Sequence, residues 1–324
     1  MELTKKNTTA WSRIGSRATF GTVLYSIAED KENLMMLCPD TSTSAGLDRF
    51  RKKFPEKYLE IGIAEQNLMG IAAGLASEGF DVVTSTFSPF QTLRCCEQIK
   101  VNLGYMKHKV IFVGLASGVV LGKLGYTHCS IEDLAIVRAI PNITVLSPAD
   151  CGETAKALCA ALEHDQSVYI RLTGGTPNPK VFAEDYDFNI GKAVEISHGQ
   201  DVTLIATGSM VNTAIQAADS LKERGIDAGV LNMHTIKPID INAINKACRD
   251  SKLIVTIEEH NTIGGLGSAV AEVKSRLANT PPQIFFGFED TYGNSGGYTE
   301  ILQRAGLTPD NISQQVTQWW QSQT

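Results

Sequence analysis

The sequence has 324 residues, 43% of them hydrophobic and 20% charged, which is enough chain of ordinary globular composition for two domains with their own cores. A formal net charge of −6, with no Lys/Arg block interleaved with aromatics, gives no footing for a nucleic-acid or membrane partner and points to small molecules. The first twenty residues lack the apolar core of a secretion signal and no later run is apolar over a spanning length, so the expected location is cytoplasmic; the 7 cysteines contain no C-x-x-C pair and suggest neither a disulfide framework nor a zinc site.

Strand-like runs alternate with helix-like runs from the beginning: LMMLC (34–38), DVVTST (81–86), KVIFVGL (109–115), ITVLS (143–147) and SVYIRL (167–172). Such alternation is the pattern of a parallel sheet covered by helices. Residues 174–200 break the rhythm with turn formers and prolines and read as a linker. A second, smaller series follows in DVTLIAT (201–207), IDAGVLN (226–232), KLIVTIE (252–258) and QIFFGF (283–288). The expected fold class is therefore α/β, with two doubly wound domains at 1–173 and 201–324 and mostly parallel sheets.

Ligands of such sheets gather at the carboxyl ends of the strands. Asp40 and Ser44 follow the first strand, Glu65 precedes a helix, Phe87 and Phe90 follow DVVTST, His128 lies in a loop, and Arg171 ends its strand. Glu65 sits in an apolar frame of Ile61, Ile63 and Ala64, ahead of a helix rich in small residues from Gly70 to Ala76. Taken alone, an acid in a first helical turn is favoured by the macrodipole. Buried in that frame, its carboxyl group can instead share a proton with a ligand nitrogen.

Phe87 and Phe90, three apart, share one side of a helical turn and form either core packing or a slot for a flat heteroaromatic ring. His128 precedes an expected helix start at Ser130, with Asp133 at capping-box spacing, and reads as a polar cap or as a functional group. The GGLGS run at 264–268 has Val270 where a dinucleotide fingerprint needs its third glycine, so it reads as a tight turn. The remaining histidines show no ligand spacing, and no metal ligand is assigned.

Read together, EIGIAEQNLMGIAAGLA, STFSPF, THCSIEDLAIVRAIPNITVLSPAD, LNMHTIKPID and GFEDTYGNSGGYTEILQRAGLT resemble, in that order and across 15–312, the carboxy-terminal half of transketolases, which are thiamine diphosphate enzymes. The resemblance implies that Glu65 hydrogen-bonds the pyrimidine nitrogen of thiamine diphosphate, that Phe87 and Phe90 enclose that ring, and that Asp40 lies beside the cofactor near a subunit interface. It further implies that His128 contacts the reacting carbons and that Arg17, Ser44 and Arg171 grip a sugar phosphate. A tyrosine common at the pocket's edge is Leu93 here. The family's phosphate-contacting histidine aligns with Ala116, and its hydroxyl-reading aspartate with Leu124, which implies a larger, less phosphorylated or otherwise modified sugar.

No G-D-G element, which the family uses to hold diphosphate and Mg²⁺, occurs in the chain, and the resemblance begins close to Met1. The expectation is a two-polypeptide transketolase. This chain would transfer a two-carbon ketol unit from a ketose donor to an aldose acceptor only with an amino-terminal, diphosphate-binding subunit that carries the Mg²⁺, two such pairs making a heterotetramer. The alternatives are the β subunit of a 2-oxo acid dehydrogenase, whose motif resembles I-S-E-A-G rather than IAEQN, and a non-catalytic scaffold of the same fold. Deoxyxylulose phosphate synthase resembles the same region but normally carries all domains in one chain. The tail QQVTQWWQSQT reads as an amphipathic end helix, with no role assigned to Trp319 and Trp320.

Overall fold

The computed structural model describes residues 3–323; the outermost positions of the expected boundaries, 1 and 324, lie outside the described residues. A first series of strands comprises β1 (Leu34–Cys38), β2 (Tyr58–Glu60), β3 (Asp81–Phe87), β4 (Val110–Leu115), β5 (Ile143–Leu146) and β6 (Ser167–Arg171). A second comprises β7 (Val194–Ser197), β8 (Val202–Ala206), β9 (Ala228–Asn232), β10 (Thr235–Lys237), β11 (Leu253–Asn261) and β12 (Gln283–Phe288). They form a 7-stranded sheet in the order β10-β5-β6-β4-β3-β1-β2 and a 5-stranded sheet in the order β12-β11-β8-β9-β7. Neighbours run parallel, except for β10 on β5 and β7 on β9.

The central strand β4 shows why the first sheet is sandwiched. Every residue of VIFVGL is buried, as expected of a parallel strand covered on both faces. Ile111, Val113 and Leu115 pack with Phe20, Leu24 and Leu158 on one face, while Val110 and Phe112 pack with Leu68, Met69 and Val137 on the other. The second sheet builds its own core around Leu204, Val211, Val255 and Ile312. The last helix, Pro309–Gln323, buries Ile312 and Val316 and packs on the helix Met210–Glu223, with Lys252 Nζ 5.3 Å from the Trp320 ring centre.

Two features depart from the sequence expectation. Val194–Ser197, inside the expected linker, forms β7 by pairing with β9. The second series also lends β10 to the edge of the first sheet, where Thr235 faces Leu146. The start of the linker is tied down as well. Asn178 N donates to Ser12 O at 2.8 Å, and Gly15, at φ 81° inside the helix Lys5–Ile27, makes a kink where a Cβ would lie 2.5 Å from Thr176 Oγ1. Among the described residues no helix is long and apolar enough to cross a membrane.

Candidate active site

Asp40 and Ser44 follow β1, Glu65 follows β2, Phe87 and Phe90 lie at the end of β3, and His128 lies in the loop after β4. β3 stops at Phe87 because Ser88-Pro89 opens a short turn of helix, Ser88–Gln91, and proline suits a first helical turn. Ser88 Oγ contacts Tyr169 Oη at 2.7 Å and donates to Asp133 Oδ2 at 3.1 Å, which fixes the turn from below. The turn brings the Phe87 and Phe90 ring centres to 6.2 Å, edge to face. The His128 ring lies 5.3 Å from Phe90 and 6.3 Å from Phe87. Its loop is closed at the base by Gly118 N to Ser130 O at 2.9 Å and Ser130 N to Gly118 O at 2.8 Å, and Thr127 Oγ1 meets His128 Nδ1 at 3.0 Å.

Glu65 is the first residue of the helix Glu65–Ser77 and is 4% exposed. Its Oε1 accepts from Arg94 Nη1 at 2.6 Å, and the Arg94 guanidinium carbon lies 4.0 Å from the Phe90 ring centre. Glu65, Phe87, Phe90 and His128 therefore form one cluster, joined through Arg94. Sequence reasoning passed over Arg94. Its signal was available, since it is the sole charged residue in 85–96.

Asp40 is exposed after β1 at φ 60°, and its N–H donates to Glu60 Oε1 at 2.6 Å. Glu60 also accepts from Gly62 N at 3.2 Å and Tyr58 Oη at 2.6 Å, so this acid, likewise missed, clamps the end of β1 to the approach of Glu65. Arg17 follows the Gly15 kink. The loop bearing Ser44 presses against it: a Cβ at Gly46, which has φ 69°, would sit 2.9 Å from Ala18 Cα and 3.5 Å from Arg17 O. Among the described residues Arg17 has no hydrogen-bond or ion-pair partner, and burial lowers its pKa from the usual arginine value. An unpartnered, half-buried guanidinium is suited to an anion.

Arg171 is corrected. It is 1% exposed, with Nε on Asp133 Oδ2 at 2.7 Å and Nη2 on Glu259 O at 2.9 Å and Ser130 O at 3.2 Å. The second domain's β11 covers the end of β6, so this guanidinium is consumed inside the protein and does not face a sugar phosphate. Asp133 is corrected with it. The helix begins at Asp133 rather than Ser130, and the carboxylate serves Arg171 and Tyr169 instead of capping. Burial is the largest single influence and opposes its charge, but Arg171, helped by His260 and Tyr169, outweighs it and holds the carboxyl below its usual range.

Ala116 is buried at φ 52°, and Leu124, at the end of the turn Gly122–Leu124, is 57% exposed in the loop of His128. Leu93 is partly exposed beside Arg94. The GGLGS run makes a close turn, with Leu266 N and Gly267 N both donating to Glu258.

The chemistry of the cluster suits a flat, hydrogen-donating heterocycle. Arg94 already places a planar cationic donor on the Phe90 face and against the Glu65 carboxylate, the contacts that a protonated aminopyrimidine ring would make. Among the described residues no group of three or more His, Cys, Asp and Glu side chains is placed to hold a metal ion.

Comparison with known proteins identifies both domains. The transketolase pyrimidine-binding domain model matches residues 12–176, and the transketolase C-terminal domain model matches residues 191–312. A putative transketolase C-terminal section from Methanocaldococcus jannaschii is 38% identical over 93% of this chain and 95% of its own. One subunit of an apulose-4-phosphate transketolase from Phocaeicola vulgatus is 37% identical over 92% of this chain and 95% of its own. A solved structure described as a split gene transketolase, inactive beta4 tetramer, superposes with a TM-score of 0.84 at 37% identity, over 94% of this chain and 97% of that one. With both domain models matched in order and relatives covered almost end to end, the chain belongs to the transketolase family and corresponds to the carboxy-terminal subunit of its split members.

Proposed function

We propose that this chain supplies the pyrimidine-binding side of a thiamine diphosphate-dependent transketolase active site and, with a separate diphosphate-binding subunit, moves a two-carbon ketol unit from a ketose to an aldose. The observation that carries this reading is that the buried Glu65 carboxylate and the Phe90 ring are placed to grip one flat donor together, as they grip the Arg94 guanidinium. When bound, thiamine diphosphate supplies the nucleophilic carbon that adds to a ketose carbonyl.

The chain's own residues set the conditions for that chemistry. Glu65, itself buried, would give a proton to the ring nitrogen and keep it shared between the two. Phe87 and Phe90 fix the plane of the ring and keep water away from it. His128, with Nδ1 engaged by Thr127, has no protein partner for Nε2 among the described residues and exchanges a proton with a substrate hydroxyl there. Arg17 and Ser44 receive the phosphate end of the sugar, and the loop of Asp40 borders the cofactor and the partner.

The diphosphate and its Mg²⁺ belong, in this reading, to the partner. Support comes from the Phocaeicola vulgatus relative, which is named as one subunit of a transketolase, and from the related chain described as an inactive beta4 tetramer, which suits a β chain that does not turn over alone. Two pairs would form the heterotetramer. Leu124 and Ala116 point to a sugar other than the common pentose phosphates, such as the one in the name of the Phocaeicola vulgatus relative. Among the described residues no disulfide joins any of the 7 cysteines, which supports a cytoplasmic location.

The test is ketol transfer by the co-purified pair across a panel of sugars with thiamine diphosphate and Mg²⁺. Transfer by the pair and by neither polypeptide alone is expected. An inactive pair that nevertheless holds the cofactor would turn the reading into that of a scaffold.

A further inference from the structure

Within the slot assigned above to the pyrimidine ring, the occupant in this chain is Arg94. Three properties of that occupant matter. Its guanidinium is planar and lies on the Phe90 face, 4.0 Å from the ring centre. It donates an N–H to Glu65 at 2.6 Å, the carboxylate that the ring nitrogen requires. Glu65 is its sole hydrogen-bonding side-chain partner among the described residues, and its side chain is 42% exposed, so this bond and the Phe90 contact are what hold it in place.

The backbone around it is anchored independently. Gln66 Nε2 donates to Arg94 O at 3.2 Å, and Arg94 N donates to Pro89 O at 3.2 Å. The side chain can therefore swing outward while the Phe90 turn and the start of the Glu65 helix keep their geometry. A guanidinium matches a protonated aminopyrimidine in shape, in stacking on an aromatic face and in the hydrogen bond it offers a carboxylate.

Resting on the pyrimidine-slot reading, we infer that Arg94 is a resident stand-in for the cofactor ring, a positioning residue that keeps Glu65 paired and Phe90 covered until the pyrimidine displaces it. The occupant solves a physical problem. Without it, Glu65 would be a buried carboxylate with no partner whenever the ring is absent, an arrangement proteins avoid. The consequence is competition: the cofactor enters by breaking a charge-assisted bond and a ring contact, and affinity is lower than the slot alone would allow.

The experiment is an equilibrium titration of the assembled pair with thiamine diphosphate, in the presence of Mg²⁺, followed by protein fluorescence. Arg94→Ala is expected to tighten binding about tenfold, and Arg94→Lys, which keeps the charge but loses the plane, about threefold. Low-millimolar guanidinium chloride should return Arg94→Ala toward parental affinity and leave the parent unchanged, a response that a merely structural role would not produce. Equal or weaker binding by Arg94→Ala, or by Arg94→Lys should the first variant not fold, would overturn the inference and make Arg94 a wall of the site. A parental pair that binds no thiamine diphosphate would instead remove the transketolase reading, and this inference with it; parental binding with unimproved variants removes the inference alone.

Discussion

Arg171 Nε donates to Asp133 Oδ2 at 2.7 Å with the two side chains 1% and 0% exposed, and the same guanidinium reaches the Glu259 carbonyl of the second sheet at 2.9 Å. The pair is thus a bolt between the domains, placed directly beneath the Ser88 turn that carries Phe87 and Phe90. Removing one partner leaves a buried, uncompensated charge, which typically costs about 3–5 kcal/mol. Arg171→Met should lower the unfolding free energy in urea by about that amount, and adding Asp133→Leu should restore part of it. A phosphate-gripping arginine would behave differently, raising KM for phosphorylated sugars while leaving the urea midpoint in place.

Stability should be bounded on both sides of neutral pH. Burial raises Glu153 to about 8 and Glu258 to about 7 from 4.5, so these folded-state acids keep protons that the unfolded chain releases. Their contribution is full below pH 4.5 and is lost as pH rises through 7 and 8. Burial lowers His234 and His260 to about 4 from 6.5, which reverses the direction. Their contribution is present above pH 6.5 and is lost as pH falls through 4. Urea unfolding should therefore give a broad maximum between about pH 4.5 and about pH 6.5, where the two slopes offset each other, with Glu153→Gln reducing the loss on the alkaline side. A free energy that rises steadily from about pH 6 to about pH 8.5 would contradict this assignment.

Arg17 offers a test of the substrate end. Having no ion-pair or hydrogen-bond partner among the described residues, it contributes little to the fold, so Arg17→Ala should leave the urea midpoint nearly unchanged. In the assembled pair it should reduce kcat/KM for a phosphorylated sugar by about one to two decades, mostly through KM, and barely affect an unphosphorylated analogue. Equal losses on both sugars would take the phosphate away from Arg17.

The parts of this molecule that were legible in its sequence are those carried by local pattern. β1 at Leu34–Cys38 and β4 at Val110–Leu115 stand where uninterrupted apolar runs stand, because strands buried on both faces need no alternation. Phe87 and Phe90 stood out because they lie at a strand end on a sheet's ligand edge, and Glu65 because it is an acid in an apolar frame at a helix start. β2 and β10 were not, since three residues contain no period to detect. Arg171 misled for a different reason. Whether a strand-end arginine meets solvent or β11 is decided by how two domains pack, which its neighbours in sequence do not record. Arg94 and Glu65 are likewise 29 positions apart, so their pairing appears only once β3 lies beside the helix Glu65–Ser77.

The most direct measurement of the central claim is single-turnover ketol transfer by the assembled pair carrying Glu65→Ala, with cofactor binding and urea unfolding measured on the same preparation. The account predicts a preparation that folds and binds Mg²⁺ and diphosphate through its partner, yet reacts about a thousandfold more slowly than the parent. Turnover within about threefold of the parent would show that no proton passes through position 65 and would contradict the account.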